Sequence, residues 1–215
     1  MSSFPGSPRL LKGALVGIDT LVPVPNVVAF QYNPDTMTRR LEPRAVAAEG
    51  DRGEAYRLTG APKETITLTV EIDATDQLEQ GSPLATATGI YPTLAALEIL
   101  LYPKSATVIA NDILSLIGTI EVIPLQAPLT LFVWGPQRIL PVRLTSMNIT
   151  EEAHDPLLNP IRAKVELSMT VLSYQELSVL DPAYTIFLAH HVVKEVMSAT
   201  NLFNTAQSIG SGLKL

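Results

Sequence analysis

The stretch IRAKVELSMTVLS, residues 161–173, decides the fold class because its hydropathy alternates from one position to the next. One face carries the apolar side chains Ile161, Ala163, Val165, Leu167, Met169 and Val171. The other face carries Arg162, Lys164, Glu166, Ser168 and Thr170. Period-two alternation of this length is typical of a β-strand with one buried face. A strand with one polar face belongs to an antiparallel sheet rather than to a buried parallel one.

Other segments predict neighbouring strands. Glu64 to Asp73 alternates in the same way, with Ile66, Leu68, Val70 and Ile72 on one face. Leu129 to Trp134 and Ile139 to Ile149 flank Gly135-Pro136, a strong turn signal, and are predicted to form a hairpin. The apolar positions change parity inside the second arm of this hairpin, which predicts a β-bulge near Thr145-Ser146.

The amino-terminal part also alternates. Val28, Phe30 and Tyr32 lead into Asn33-Pro34-Asp35, which has the composition of a turn. The positions that follow predict a return strand with Met37, Arg39 and Leu41 on one face.

Helical signals are fewer. Thr93 to Leu101, between Pro92 and Pro103, has helical spacing. Asp181-Pro182 is predicted to open a carboxy-terminal helix, Pro182 to Thr200. One face of this helix would carry Ile186, His190, Val193 and Met197, followed by a frayed tail at Gly210 to Leu215. Two polar stretches are predicted to be loops, namely Pro43 to Pro62 and Ala74 to Gly89.

The composition limits the class of protein. The chain has 215 residues, 47% of them apolar, which fits one large domain or one domain with an appended segment that has a packed core. Lys plus Arg is 15 and Asp plus Glu is 21, and the net charge of −6 disfavours binding of nucleic acid through its phosphates. The absence of cysteine excludes disulfides and thiolate chemistry and fits a reducing cytoplasm.

Charged residues make up only 17% of the chain, below the usual quarter or so. Because the cores of protein interfaces are depleted in charge, we interpret this as surface buried against partner subunits. A neutral, Thr- and Ala-rich monomer is the alternative. We expect no transmembrane helix, since no run of 18 uncharged apolar residues occurs, and no signal peptide at residues 1–11.

One cluster has side chains suited to catalysis or metal binding, namely Glu151, Glu152, His154 and Asp155. Only one imidazole is present there, and Asp155-Pro156 and Asn159-Pro160 have the composition of a turn, so we interpret the cluster as a solvated loop between two strands. His190 and His191 are adjacent on a predicted helix and point about 100° apart, so we expect one at an interface and one in solvent rather than a shared metal ion.

Sequence signatures of enzymes are absent. The chain has neither a Gly-x-Ser-x-Gly elbow nor a phosphate-binding glycine-rich motif. We therefore predict no enzymatic activity, no catalytic residues, no cofactor and no metal site.

Four segments in order resemble tube-type proteins of contractile injection systems. The segments are FQYNPDTMTR at 30–39, LTGAPKETI at 58–66, FVWG with LPVRL at 132–144, and NPIRAKV at 159–165. The resemblance covers roughly residues 10–175. It implies a mainly β, phage-tail-tube-like fold, an antiparallel β-barrel or sandwich with one flanking helix, assembled as stacked six-fold rings. The carboxy-terminal helix is added to that fold.

The most similar type of family member is the baseplate protein between tube and spike, in which a peptidoglycan-binding LysM module commonly follows the tube-like domain. The present chain departs from that pattern, because residues 176–215 are too short for the module and would form a helical extension on a tube-like domain of residues 1–175. The resemblance thus implies a structural adaptor ring that joins inner tube to spike, seeds tube assembly and contacts baseplate wedge proteins.

The carboxy-terminal helix would either clamp a neighbouring protein or pack on its own barrel, and both alternatives stay open. Such particles assemble in the cytoplasm and can be released, docked at a membrane or left free. The rival functions are a tube cap or terminator and, from another class, a soluble β-rich ligand-binding or hydrolytic domain that uses the Glu151 to Asp155 cluster.

Overall fold

The computed structural model of the chain describes residues 11–19, 25–45, 57–116 and 124–212. Seven strands form within these ranges: β1 (Ala14–Ile18), β2 (Asn26–Ala29), β3 (Met37–Ala45), β4 (Leu58–Asp73), β5 (Leu129–Val133), β6 (Ile139–His154) and β7 (Pro160–Val171). The helices are α1 (Thr75–Glu79), α2 (Pro83–Thr88), α3 (Tyr91–Glu98), α4 (Ser105–Leu116) and α5 (Pro182–Gly212).

The strands make one antiparallel sheet in the order β2-β1-β5-β6-β7-β4-β3, and the helices flank it. The mainly β, antiparallel fold class predicted from the alternating segments is therefore confirmed. The sheet is not closed, so β2 and β3 are its two edges. In the described part of the chain, no helix has the length and apolarity needed to cross a membrane.

The core lies on the apolar face of the long strands. In β7, the side chains of Ala163, Val165, Leu167 and Met169 are fully buried, and their polar neighbours along the strand face outward. The apolar face of β4 packs into the same cluster, together with Leu94 and Leu97 of α3 and Phe187 of α5. Burial of side chains of this size stabilises the fold by about 1.5–3 kcal/mol each.

The β5–β6 hairpin forms as predicted. The Trp134 N–H donates to the Arg138 carbonyl at 2.8 Å across the Gly135-Pro136 turn. The predicted bulge is confirmed, because the pairing of β6 with β7 skips Thr145 between Leu144 and Ser146. β6 is longer than predicted and continues to His154. The solvated loop predicted at Glu151 to Asp155 is therefore shorter than the sequence indicated.

The prediction of a return strand after the turn at Asn33 is wrong in its pairing. β2 ends at Ala29 and pairs with β1, whereas β3 pairs with β4 at the other edge of the sheet. The Asn33 side chain explains the change of direction. Its Oδ1 accepts from the Gly13 N–H at 2.9 Å and its Nδ2 donates to the Leu11 carbonyl at 2.8 Å, so the chain is held beside β1 before it leaves for the opposite edge.

The predicted Ala74 to Gly89 loop instead contains α1 and α2. Asp73 accepts a hydrogen bond from the Thr75 N–H at 2.7 Å just before α1, whose N-cap residue Ala74 makes no side-chain cap. Ser82 accepts from the Ala85 N–H and caps α2, with Pro83 at its first position. The helix predicted from Thr93 begins two residues earlier, after Ile90, without a side-chain cap. α4 was not predicted, so the described residues between β4 and β5 form four helices rather than one.

The predicted Pro43 to Pro62 loop is partly strand, since β3 reaches Ala45 and β4 begins at Leu58. Residues 46–56, including the charged Glu49 to Glu54 stretch, lie outside the described residues.

The carboxy-terminal helix starts at Pro182 as predicted, with the Ala183 N–H donating to Asp181 Oδ1 at 2.8 Å. It runs to Gly212, so the predicted tail begins inside the helix, and residues 213–215 lie outside the described range. The predicted inner face is confirmed in part, because His190 is buried and Ile186 and Val193 are half-buried. Ala183, Phe187 and His190 are buried, whereas Met197 is exposed.

Candidate assembly surfaces

The acidic cluster singled out in the sequence is spread along the end of β6 and the turn into β7. Glu151 Oε2 lies 2.8 Å from His154 Nε2, and Glu152 Oε1 lies 3.0 Å from Lys164 Nζ on β7. Asp155 Oδ1 accepts from the backbone N–H groups of Leu157 and Asn159 at 2.7 and 2.8 Å. Each of these three acids is thus engaged by a group of its own strand, of its own turn or of the adjacent strand β7.

The role of Asp155 is to shape the β6–β7 turn. The Asn159 side chain donates to its Oδ2 at 2.8 Å, and this bond, with the two backbone bonds, holds the pKa of Asp155 below its usual range. The same turn contains Leu158 at a φ of 65°. Within the described ranges, no three His, Cys, Asp or Glu side chains are grouped so that they could hold a metal ion.

The polar face of β4, β7 and β6 carries a ladder of alternating charges. Lys164 Nζ lies between Glu71 and Glu152, at 3.8 and 3.0 Å from their carboxylates. Beside it, Arg162 Nη2 lies 2.9 Å from Asp73 Oδ2. The hydrogen bond and the charge of Glu152 raise the pKa of Lys164. Every charge in the ladder thus faces an opposite one, with three carboxylates set against two cations.

A cavity of about 540 Å³ lies where the sheet fails to close. Its walls include Val28 and Phe30 from the end of β2 and Val70 and Ile72 from β4. Pairing of β3 with β4 extends only as far as Leu68, so the last residues of β4 have no strand on that side among the described residues.

One side-chain hydrogen bond spans this opening, from the Asp73 N–H to Gln31 Oε1 at 2.9 Å. This bond takes the place of the backbone hydrogen bonds that would join β2 to β4 in a closed sheet. Unpaired strand edges of this kind are surfaces on which other chains can add.

A buried ionic cluster attaches α5 to the sheet. Glu64 on β4 is only 3% exposed, and its Oε1 lies 2.6 Å from Arg39 Nη2 and 2.7 Å from Arg39 Nε. Its Oε2 accepts from Lys194 Nζ of α5 at 3.3 Å. The carboxylate therefore joins β3, β4 and α5 through two cations.

His190 and Arg138 lie beside this cluster. His190 Nδ1 is 3.1 Å from the Gln137 carbonyl, while its Nε2 is buried and has no hydrogen-bond partner among the described residues. Burial, followed by the charge of Lys194, lowers the pKa of His190, so its neutral form is favoured. Burial and the charge of Arg39 lower the pKa of Arg138.

The prediction of one interfacial and one exposed histidine is consistent with this arrangement. His190 faces the sheet, whereas His191 Nε2 lies 3.6 Å from Glu195 Oε1 on the outer side of α5.

The two halves of α5 have different surroundings. The first half packs on its own sheet through Ala183, Phe187 and His190, and Phe187 meets the ring of Tyr174 edge-on at 5.9 Å. After Lys194, every residue from Glu195 to Leu202 is exposed. Packing on the chain's own sheet, one of the two alternatives for this helix, therefore applies to its first half.

Sequence reasoning missed Glu64, although a signal was present. Glu64 has the parity of Ile66 and Leu68, so alternation already placed it on the apolar face. A carboxylate in such a position requires a buried cation. The exposed apolar side of α4 was also missed, although Pro103 and Ser105 before it and Gly118 after it are signals of helix boundaries.

No protein-family model matches the chain, and no curated protein matches it. Among solved structures, it is similar to a chain of the virion of a native gene transfer agent particle and to a chain of the tail of an empty gene transfer agent particle with C6 symmetry. In each case the identity is 13%, the match covers 74% of this chain and 90% of that chain, and the TM-score is 0.29. A likeness at this TM-score establishes neither a shared fold nor a shared function.

Proposed function

We propose that this chain is a structural subunit of a contractile injection particle, a ring-forming adaptor that joins the inner tube to the spike and seeds tube assembly. Residues 1–175 act as the tube-like domain and residues 176–215 as a helical extension. The mechanism is assembly and transmission of force, without bond chemistry. Its partners are other copies in a six-fold ring, the inner tube protein, the spike protein and the baseplate wedges.

One observation carries this proposal. The four segments that resemble tube-type proteins contribute to β3, β4, the β5–β6 hairpin and β7. Those five strands are consecutive neighbours in the sheet, in the order β5-β6-β7-β4-β3. The resemblance in sequence thus maps to one continuous part of the fold rather than to scattered pieces.

The open sheet supports assembly rather than a monomeric role. Among the described residues, neither edge strand has a further strand paired to its outer side, and unpaired edges invite pairing with another chain. Closed cyclic symmetry covers such edges and stops further growth. The low charge content of 17% fits a surface that is buried in an assembly.

Electron microscopy of particles from a strain that lacks the gene tests the proposal. An adaptor is supported if no tubes or sheaths assemble, or if only fragments without a spike are found. Tubes of uncontrolled length would instead identify a cap or terminator. Normal particles would overturn the structural role and favour the ligand-binding or hydrolytic alternative.

Re-expression of the chain in the deletion strain is the control, because restored particles assign the defect to this protein. A Glu152→Ala variant is the second control. It removes an acid of the alternative's cluster while leaving the sheet edges intact, so it should restore assembly as well as the unaltered chain does.

A further inference from the structure

We infer that the outer half of α5 packs against α4 of a neighbouring copy of the same chain. This inference rests on the proposed ring and deepens it by naming a contact between adjacent subunits. Two surfaces carry it. The α4 stripe consists of Ile109, Ile113 and Leu116, and the α5 stripe consists of Val192, Val196 and Ala199.

The α4 stripe lies on a helix that its own chain leaves uncovered. Every residue of α4 is at least partly exposed, although the helix is apolar along one side. Ile109, Ile113 and Leu116 are spaced by four and three residues and so share one face, and Ile113 is 52% exposed. Asp112 is the one charged residue between Ser105 and Leu116.

The α5 stripe lies on the half of the helix that leaves the sheet. Val192 and Val196 are both 56% exposed and lie one turn apart, and Ala199 continues the same face. Residues 196–212 contain no charged residue. A helix that stays in solvent normally carries charged side chains on its outer face, and this half carries none, although Ser, Thr and Asn are frequent in it.

Helix propensity alone does not explain why these segments are helical. Isolated helices of up to about 12–15 residues are marginal in water even with strong helix formers, and most of their stability in proteins comes from packing of an apolar face. Residues 196–212 also contain Ser, Thr, Asn and Gly, which are weak helix formers. The 12-residue α4 therefore needs an apolar partner, and the outer half of α5, with its weak helix formers, would be stabilised by one.

A second copy of this chain supplies that partner to each of them. One chain presents both stripes, and within the described residues α5 packs mainly on β6. A contact between two different surfaces is heterologous, and it closes into a ring when the rotation between subunits allows. Charge is sparse on both surfaces: α4 carries only Asp112, and residues 192–199 carry one cation and one acid, Lys194 and Glu195.

The test uses the purified full-length chain in sedimentation velocity over a wide concentration range. We expect self-association, weakened at least tenfold, or about 1.4 kcal/mol, by either Ile113→Glu or Val196→Glu. Both positions are exposed and lie outside the sheet, so the strand signal in circular dichroism should be unchanged, while the helix signal should fall as association is lost. Leu157→Glu, in the β6–β7 turn and 78% exposed, is the matched control and should associate as the unaltered chain does.

Mixing the two variants distinguishes a heterologous contact from a symmetric one. Ile113→Glu keeps an intact α5 stripe, and Val196→Glu keeps an intact α4 stripe. An equimolar mixture therefore retains one working contact per pair and should form heterodimers but no longer species. If Ile113→Glu associates normally while Val196→Glu does not, the contact is between two α5 helices and the inference is wrong.

A cross-linking arm uses the absence of cysteine from the chain. Ile109→Cys and Ala199→Cys are placed in separate copies, mixed and oxidised. We expect a disulfide-linked species of twice 23.2 kDa in the mixture, in excess of either variant alone. A chain that stays monomeric at every concentration, or a mixture that cross-links no better than its components, would overturn the inference. Electron microscopy of particles from the deletion strain tests the proposed function independently of this contact.

Discussion

Lys194 Nζ donates a hydrogen bond to Glu64 Oε2 at 3.3 Å, across 130 positions of sequence. The other oxygen of the carboxylate binds Arg39, so one buried side chain connects the edge strand β3, the core strand β4 and the long helix. Removal of a buried charge from such a set leaves its partners uncompensated, which costs more than the pair contributes when intact. Glu64 therefore fixes where α5 leaves the sheet.

The first prediction concerns this carboxylate. Glu64→Gln should lower the free energy of unfolding by about 2 kcal/mol. This loss lies between those expected for breaking an exposed and a buried ion pair, because Arg39 and Lys194 remain partly hydrated. Urea denaturation measures the change. Glu166→Gln, at an exposed position on β7, is the matched control and should stay within about 0.5 kcal/mol of the unaltered chain.

A double-mutant cycle tests whether the contact is direct. Lys194→Met and Glu64→Gln should together cost less than the sum of their separate effects, since each removes the same ion pair. Additive effects would contradict the attachment of α5 through Glu64.

The second prediction concerns pH. Burial and Lys194 depress the pKa of His190 in the folded chain, with Glu64 and Arg138 also facing it. The unfolded chain binds a proton near pH 6.5, before the folded chain does. Stability from this residue is therefore complete above about pH 6.5 and is lost as the pH falls through the depressed folded pKa.

Denaturation at several pH values between about 5.5 and 7.5 measures this effect. The free energy of unfolding should decline toward the acidic end in the unaltered chain and decline less in His190→Gln. His191→Gln removes the exposed neighbour and should keep the full dependence. An equal slope in His190→Gln and the unaltered chain would show that another group is responsible.

The long strands could be predicted from sequence because their physical cause is local. β7 alternates over its whole length, and the bulge at Thr145 is visible as a change of parity. The pairing of β2 and β3 could not be predicted, because alternation tells which face is buried and not which strand lies beside it. Two side-chain bonds from Asn33, both to residues about 20 positions earlier, decide that choice.

The assembly surfaces were predicted less well, for a related reason. Helix α4 has an apolar side, so its sequence pattern resembles that of a core helix. In the structure, however, none of its residues is buried. Glu64 is the reverse case. The alternation of the strand places its charged side chain on the core face, but the sequence does not show which cations pair with it. Its partners Arg39 and Lys194 come from distant segments, and only the three-dimensional arrangement brings them together.

The third prediction compares two glycines with positive φ. Gly89, at a φ of 56°, follows α2, and a Cβ there would lie 2.1 Å from the Pro160 carbonyl oxygen. That carbonyl accepts from the Ile90 N–H at 2.8 Å and cannot move away without losing the bond. Gly81, at a φ of 66°, faces open space.

Gly89→Ala should therefore cost about 3 kcal/mol or more, and Gly81→Ala about 1–2 kcal/mol from its backbone conformation alone. Thermal unfolding of both variants measures the difference. Equal losses would mean that the Gly89–Pro160 approach does not constrain the join between α2 and β7.

The fourth prediction separates a structural from a metal-binding role for the acidic cluster. Glu152 is paired with Lys164, which keeps Glu71 at 3.8 Å when Glu152 is removed, so Glu152→Ala should change the free energy of unfolding by less than about 1 kcal/mol. Asp155 holds the β6–β7 turn through three hydrogen bonds, so Asp155→Ala should destabilise the chain more. If instead both acids ligate a metal ion, elemental analysis of the purified chain should find it in stoichiometric amount, and a chelator should lower the melting temperature. We expect neither, because the carboxylate oxygens that would bind the ion are already held by Lys164 and by the turn.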